Sequence, residues 1–202
     1  MIRYECLEYL TTLVTDQLFL TSLSGQRIEW AHLSKHEGNL LVGQLGCATG
    51  VGIGLALALP RRKVIVLDSD GSTLLSLFNL PTLANLNPPN LGVFVFDNGV
   101  YSGSRISEPT ATSGKTDLEA VATASGIENA VTVRDIESFK KVATKMMNEK
   151  QLHFVVCKVE ESLKHREIPR PFIVESRGKD ENFSQKNARN ISMIEIIGEG
   201  RE

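Results

Sequence analysis

The chain has 202 residues, enough for one domain of ~150 residues with a tail beyond it. Hydrophobic residues make up 42% and charged residues 23%, which excludes wholesale disorder. A formal charge of -2 argues against a protein that lives mainly on nucleic-acid phosphates, and the longest apolar run, residues 51–59, is too short to cross ~30 Å of hydrocarbon.

The predicted elements follow in chain order. Residues 17–22 (Gln-Leu-Phe-Leu-Thr-Ser) read as a strand. Residues 47–59, rich in Ala, Leu and Gly, read as a helix that stops at Pro60. Residues 63–68 (Lys-Val-Ile-Val-Leu-Asp) form a branched apolar run of the kind buried on both faces of a parallel sheet. A helix is expected over 74–86, ended by Pro88 and Pro89. Residues 91–97 read as a second fully buried strand. A helix over 117–125, capped by Thr116 and closed by Gly126, comes next, and a short strand at 130–133 follows. Residues 135–149 carry Ile136, Phe139, Val142, Ala143, Met146 and Met147 at helical spacing, with Asp135 as cap. Residues 152–159 read as the last buried strand. Alternating strands and helices predict an α/β domain with a doubly wound, mostly parallel sheet and helices on both faces. That domain is expected over 1–170. Residues 175–190 hold one large apolar residue, Phe183, so 171–202 is expected to be a partly extended or disordered tail.

The cysteines Cys6, Cys47 and Cys157 form no C-x-x-C pair, which excludes a zinc ribbon and a sequence-local iron–sulfur motif. Their odd number and the lack of a secretory leader point to the cytoplasm. Cys47 and Cys157 read as buried small apolar residues rather than nucleophiles. His32 and His36 sit four apart, and a solvated helix face or an interface is the better reading than a metal pair. Gly50, Gly52 and Gly54 mimic a dinucleotide fingerprint but precede a strand, so helix packing accounts for them better. Arg105 is expected to face solvent.

Ligands of an open parallel sheet bind beyond the carboxyl ends of its strands. Two ends stand out: Ser69-Asp70-Gly71-Ser72, followed by a helix, and Asp97-Asn98-Gly99-Val100-Tyr101, followed by a Gly/Ser-rich loop. One crossover joins their strands, so the two ends are expected side by side. The carboxylate and the carboxamide are hard oxygen ligands suited to Mg²⁺.

This pair resembles the signature of thiamine-diphosphate enzymes: Gly-Asp-Gly, a helix-containing spacer of roughly thirty residues, then Asn-Asn. The segment Gly43-Gln44-Leu45-Gly46-Cys47-Ala48 is similar to the Gly-x-Met/Ile-Gly stretch upstream in these enzymes. Asn98-Gly-Val-Tyr-Ser102, Pro109-Thr-Ala-Thr-Ser-Gly114 and Asp117-Leu118 resemble the small-subunit or C-terminal part of sulfopyruvate and phosphonopyruvate decarboxylases. The likeness runs over roughly residues 2–165. It implies that Asp70, the Asn98 side-chain oxygen and the Val100 carbonyl ligate Mg²⁺. Gly71 and Ser72 would bind the diphosphate, Thr21 and Ser22 would line its end, and Tyr101 would lie in the cofactor site. The Gly43 carbonyl would accept a hydrogen bond from the pyrimidine amino group. Leu45 would be the apolar wedge that bends the cofactor.

The chain departs from the pattern in having Ser69 for the first Gly, Asp97 for the first Asn, and Ser102-Gly-Ser-Arg-Ile-Ser-Glu108 where related decarboxylases carry Ser-Thr-Gly-Gly-Gln. Residues for only one of the two domain types of this family are present. The resemblance therefore implies a diphosphate-binding subunit of a split decarboxylase of small 2-oxo acids. It would need a pyrimidine-domain, alpha-type partner and would self-associate as a dimer. A carboligase subunit of acetolactate-synthase or transketolase type, a 2-oxo-acid oxidoreductase subunit and a degenerate non-catalytic cofactor-binding subunit are the alternatives.

Overall fold

The computed structural model describes residues 1–101, 107–162 and 167–168. The expected tail over 171–202 and Arg105 lie outside the described residues. The elements are α1 (Arg3–Thr11), β1 (Leu18–Thr21), α2 (Gly25–Leu33), β2 (Asn39–Leu41), α3 (Ala48–Ala58), β3 (Val64–Ser69), α4 (Asp70–Leu75), α5 (Asn79–Leu86), β4 (Leu91–Asp97), β5 (Val100–Tyr101), β6 (Glu108–Pro109), a 3₁₀ turn (Ala111–Ser113), α6 (Leu118–Ala124), β7 (Ala130–Val133), α7 (Ile136–Asn148) and β8 (His153–Lys158).

Six strands form one sheet in the order β2-β1-β3-β4-β8-β7, and every pairing is parallel. The expected doubly wound α/β class is borne out. Strands β3 and β4 are buried along almost their whole length, which is why both read as unbroken apolar runs. Strand order reverses between β1 and β3, and this is where an open sheet forms its ligand crevice. On one side of the sheet Phe94, Phe96 and Phe139 pack together at centroid distances of 5.4–6.5 Å. Phe19 and Trp30 lie 4.6 Å apart in the same core.

Close packing accounts for the helical glycine Gly52. A Cβ there would collide with Val66 on β3, so α3 lies nearly in contact with the sheet. This is the packing role expected for that position in place of a dinucleotide site.

Several expectations need correction. The helix expected over 74–86 is two helices, α4 and α5, broken at Ser76–Phe78. The Ser76 hydroxyl donates to the Ser72 carbonyl at 3.2 Å, a local bond that competes with helical continuation. Pro81 falls in the first turn of α5, where its missing N–H costs no helical bond. The cap of α6 is Asp117, not Thr116: its carboxylate accepts from the N–H groups of Glu119 and Ala120. Asp135 caps α7 as expected. Cys157 is fully buried, but Cys47 is only half-buried, since it lies in the loop that leads into α3. His32 is exposed on α2, while His36 lies beyond that helix and contacts the Thr15 carbonyl at 2.9 Å, so the two share no helix face.

Two helices without a counterpart in the sequence reading, α1 and α2, are joined by a buried ion pair. The Arg3 guanidinium donates to both Glu29 carboxylate oxygens at 2.8 and 2.9 Å, and both side chains are shielded from water. Removing one partner leaves a buried charge alone. Arg3→Met is therefore expected to lower unfolding free energy by ~3–5 kcal/mol in denaturant titrations, with most of the loss recovered in Arg3→Met/Glu29→Met. A double variant as unstable as the single one would contradict this.

Candidate cofactor site

The carboxyl ends of β3 and β4 lie side by side, with Ser69 paired to Phe96 in the sheet register. The chain turns directly from β3 into α4, so Asp70 stands in the first helical turn. Ser69 is the residue before it, at φ -125° and ψ 161°, ordinary extended backbone. Its hydroxyl oxygen accepts from the Ser72 N–H at 3.3 Å. Serine at the position of the signature's first glycine is thus an unstrained helix cap. Backbone strain at Ser69, the main argument for a degenerate site, finds no support in this geometry.

After β4, Asp97 and Asn98 form two overlapping turns. The Asp97 carboxylate accepts from the Gly99 N–H at 3.1 Å, and the Asn98 side-chain oxygen accepts from the Val100 N–H at 3.2 Å. Gly99 has φ +73°, which favours glycine there. The chain then forms the antiparallel pair β5–β6, and the Thr110 N–H returns to the Gly99 carbonyl at 2.8 Å. This small hairpin, absent from the sequence reading, delivers two threonines to the site.

Those threonines join the two strand ends. The Thr110 hydroxyl donates to Asp70 at 2.7 Å. The Thr112 hydroxyl lies 2.7 Å from Asp97 and 3.1 Å from the same Asp70 oxygen. Asp70 and Asp97 are 1% and 2% exposed, so two carboxylates share a dry space. Lys158, at the end of β8, pairs with Asp97. Asp70 has no basic partner among the described residues. Burial pushes the Asp70 carboxyl above the ordinary range, and the charge of Asp97 adds to the effect; the Thr110, Gly71 and Thr112 hydrogen bonds oppose it. A carboxylate left uncompensated in this way, beside a carboxamide oxygen, suits a hard divalent cation.

Tyr101 lies over Gly71, where any Cβ would collide with its ring. Gly71 is therefore required by close approach. Gly43 is exposed with open space around it, and Leu45 is half-buried on the turn of the same loop, outside the fully buried core. Thr21 and Ser22 end β1 and are fully buried. Their hydroxyls are engaged inside the protein, Thr21 with the Leu40 carbonyl at 3.4 Å and Ser22 with the Gln26 amide at 2.8 Å.

The sequence reading missed Thr110, Thr112, Lys158, Thr49 and Asp68. The first two stand in the quoted segment Pro109–Gly114, so their position was legible but not their task. Asp68 is fully buried at the end of β3. Its carboxylate accepts from the Thr49 hydroxyl at 2.8 Å and the Ser69 N–H at 3.0 Å. Burial pushes this carboxyl up, while hydrogen bonds with Ser72, Thr49, Ser69 and Ser22 pull it back.

Residues 25–157 match the family model described as "Thiamine pyrophosphate enzyme, C-terminal TPP binding domain". The chain belongs to this family. Sulfopyruvate decarboxylase subunit beta of Methanocaldococcus jannaschii is 34% identical over 153 residues, which are 74% of this chain and 79% of that one. The subunit of the same name from Methanococcus maripaludis is 29% identical, covering 77% and 83% of the two chains. Phosphonopyruvate decarboxylase of Streptomyces hygroscopicus is 43% identical over 86 residues, 43% of this chain and 21% of that protein. The solved structure of benzoylformate decarboxylase from Polynucleobacter necessarius matches the fold with a TM-score of 0.64 at 17% identity; the match covers 80% of this chain and 34% of that chain. The resemblance read from the two strand-end motifs is thus borne out, and this thiamine pyrophosphate domain is the diphosphate-binding type. No helix of the described residues is long and apolar enough to cross a membrane.

Proposed function

We propose that the chain is the diphosphate-binding subunit of a split thiamine-diphosphate-dependent decarboxylase acting on small, acidic 2-oxo acids of the sulfopyruvate or phosphonopyruvate class. The observation that carries this reading is Asp70: a buried carboxylate with no basic partner among the described residues, tied through Thr110 and Thr112 to the Asp97-Asn98 turn. The beta-subunit relatives, matched over most of their length, support the same reading.

Asp70, the Asn98 side-chain oxygen and the Val100 carbonyl would hold Mg²⁺, and Gly71 and Ser72 would meet the diphosphate. Tyr101 would close over them. The Gly43 carbonyl would orient the pyrimidine amino group, and Leu45 would set the angle between the cofactor rings. When bound, thiamine diphosphate supplies the carbon nucleophile and the electron sink for loss of CO₂. The protein's part is to bind, orient and keep the site dry. Lys158 neutralises Asp97, so that the second carboxylate does not repel the diphosphate.

A pyrimidine-domain partner would complete the site and supply the glutamate that activates the cofactor. Leu75 and Phe78, 58% and 72% exposed beyond the Asp70 turn, are apolar surface suited to such a contact. Self-association as a dimer and a cytoplasmic location complete the reading, the latter supported by three cysteines without a disulfide. Co-purified with that partner, the chain is expected to release CO₂ from sulfopyruvate or phosphonopyruvate only when both Mg²⁺ and thiamine diphosphate are present. Absence of release above background from either acid would contradict the substrate class.

Leu45→Ala is expected to lower kcat by ~10- to 100-fold while cofactor affinity changes little, because ring orientation is lost and the diphosphate anchor is kept. Unchanged kcat in the assembled enzyme would reduce Leu45 to a packing residue.

A further inference from the structure

We propose that Asp68 is a positioning residue that holds the Gly43–Cys47 loop against the metal-and-diphosphate cradle. The inference rests on the thiamine-diphosphate reading of that cradle and deepens it.

The carboxylate stands one residue before the helix cap, at the end of β3, and is fully buried. Among the described residues no basic side chain pairs with it. Its partners are instead a hydroxyl and an N–H from separate elements: Thr49 in the first turn of α3 and the Ser69 backbone at the cap of α4. A buried carboxyl with no basic partner depends on its hydrogen bonds, so the groups that make them are specified closely.

Two of those bonds converge on one loop. Thr49 binds the carboxylate directly. The other runs through the helix cap: Asp68 accepts from the Ser69 N–H at 3.0 Å, the Ser69 hydroxyl oxygen accepts from the Ser72 N–H at 3.3 Å, and the Ser72 hydroxyl oxygen accepts the Gly46 N–H at 2.9 Å. Gly46 and Thr49 flank the entry to α3, so the end of the loop is tied on both sides of Cys47. Gly46 adopts φ +84°, and a Cβ there would lie 3.4 Å from that of Leu75. The tether therefore clamps a left-handed turn close against α4. Leu45, the wedge, is the residue immediately before Gly46. Its placement relative to Asp70 is consequently set through the Gly46–Ser72 bond and, by way of Thr49, through Asp68.

The test is amide hydrogen exchange together with cofactor titration and turnover of the enzyme assembled with its partner. In Asp68→Asn, exchange at Gly46 should become about tenfold faster, the protection of one lost hydrogen bond, while Val66 inside β3 exchanges as in the wild type. The assembled variant should lose about 10- to 100-fold in kcat while its thiamine-diphosphate Kd stays within about threefold. Ser72→Ala and Thr49→Val each cut one tie, and both should speed exchange at Gly46 even if Asp68→Asn fails to fold. Wild-type exchange at Gly46 in all folded variants overturns the proposal. So does a Kd that rises as steeply in Asp68→Asn as kcat falls, because that pattern belongs to a ligand or to general loosening. If the wild-type enzyme binds no thiamine diphosphate, the functional reading fails, while exchange at Gly46 still decides the tether.

Discussion

Asp70→Ala is expected to weaken metal-dependent binding of thiamine diphosphate by on the order of 100-fold or more, and to leave the fold intact. The carboxylate is buried and lacks a basic neighbour among the described residues, and the Thr110 and Thr112 hydroxyls that donate to it still have each other and Asp97 when it is removed. Its removal deletes an anionic ligand and leaves diphosphate oxygens without a fixed counter-ion. The melting temperature of the metal-free chain should change little, because relief of burying the carboxylate is set against loss of the Thr110 and Thr112 hydrogen bonds. Asn98→Ala should weaken binding less, since a neutral ligand is lost and the turn keeps its Asp97–Gly99 bond. Calorimetric titration checks both; unchanged affinity in Asp70→Ala would remove the residue from the metal site.

The second large effect concerns the chain on its own. Purified without a partner but with Mg²⁺ and thiamine diphosphate, it is expected to release no CO₂ from pyruvate, sulfopyruvate or phosphonopyruvate. The described residues form one parallel sheet and one strand-end site, with the face around Gly43 open. On the reading proposed above, the glutamate for the pyrimidine comes from another polypeptide, across an interface on the order of 2,000 Å². Adding the partner should restore turnover. Steady decarboxylation by the chain alone, shown by mass spectrometry to be free of other proteins, would overturn the split-enzyme reading.

Much of this architecture was legible because its strands are buried on both faces. Leu91–Asp97 and Val64–Ser69 admit hardly any polar side chain until their last residues, so apolar runs marked them to within a residue. The elements at the amino-terminal side were not legible for the converse reason. Helix α1 buries Arg3 and α2 buries Glu29, and a paired charge inside the core breaks the apolar periodicity that announces a helix. Strand β2 is a three-residue edge with half-exposed side chains and leaves almost no pattern.

At the site, motif spacing found Asp70 and Asn98 because the crossover brings their strands together. It could not find Thr110 and Thr112, whose task depends on a hairpin of two-residue strands. Nor could it assign Asp68, which reads simply as the polar end of an apolar strand. Only the fold reveals that the Thr49 hydroxyl and the Ser69 N–H meet on that carboxylate.

On the proposed reading the Asp70 cradle binds thiamine diphosphate through a divalent cation. Titration of thiamine diphosphate into the wild-type chain assembled with its partner, with and without Mg²⁺, tests it most directly. The account predicts saturable binding at one cofactor per chain that is lost when the metal is chelated. Binding of equal strength in the absence of any divalent cation, or none in its presence, would contradict it.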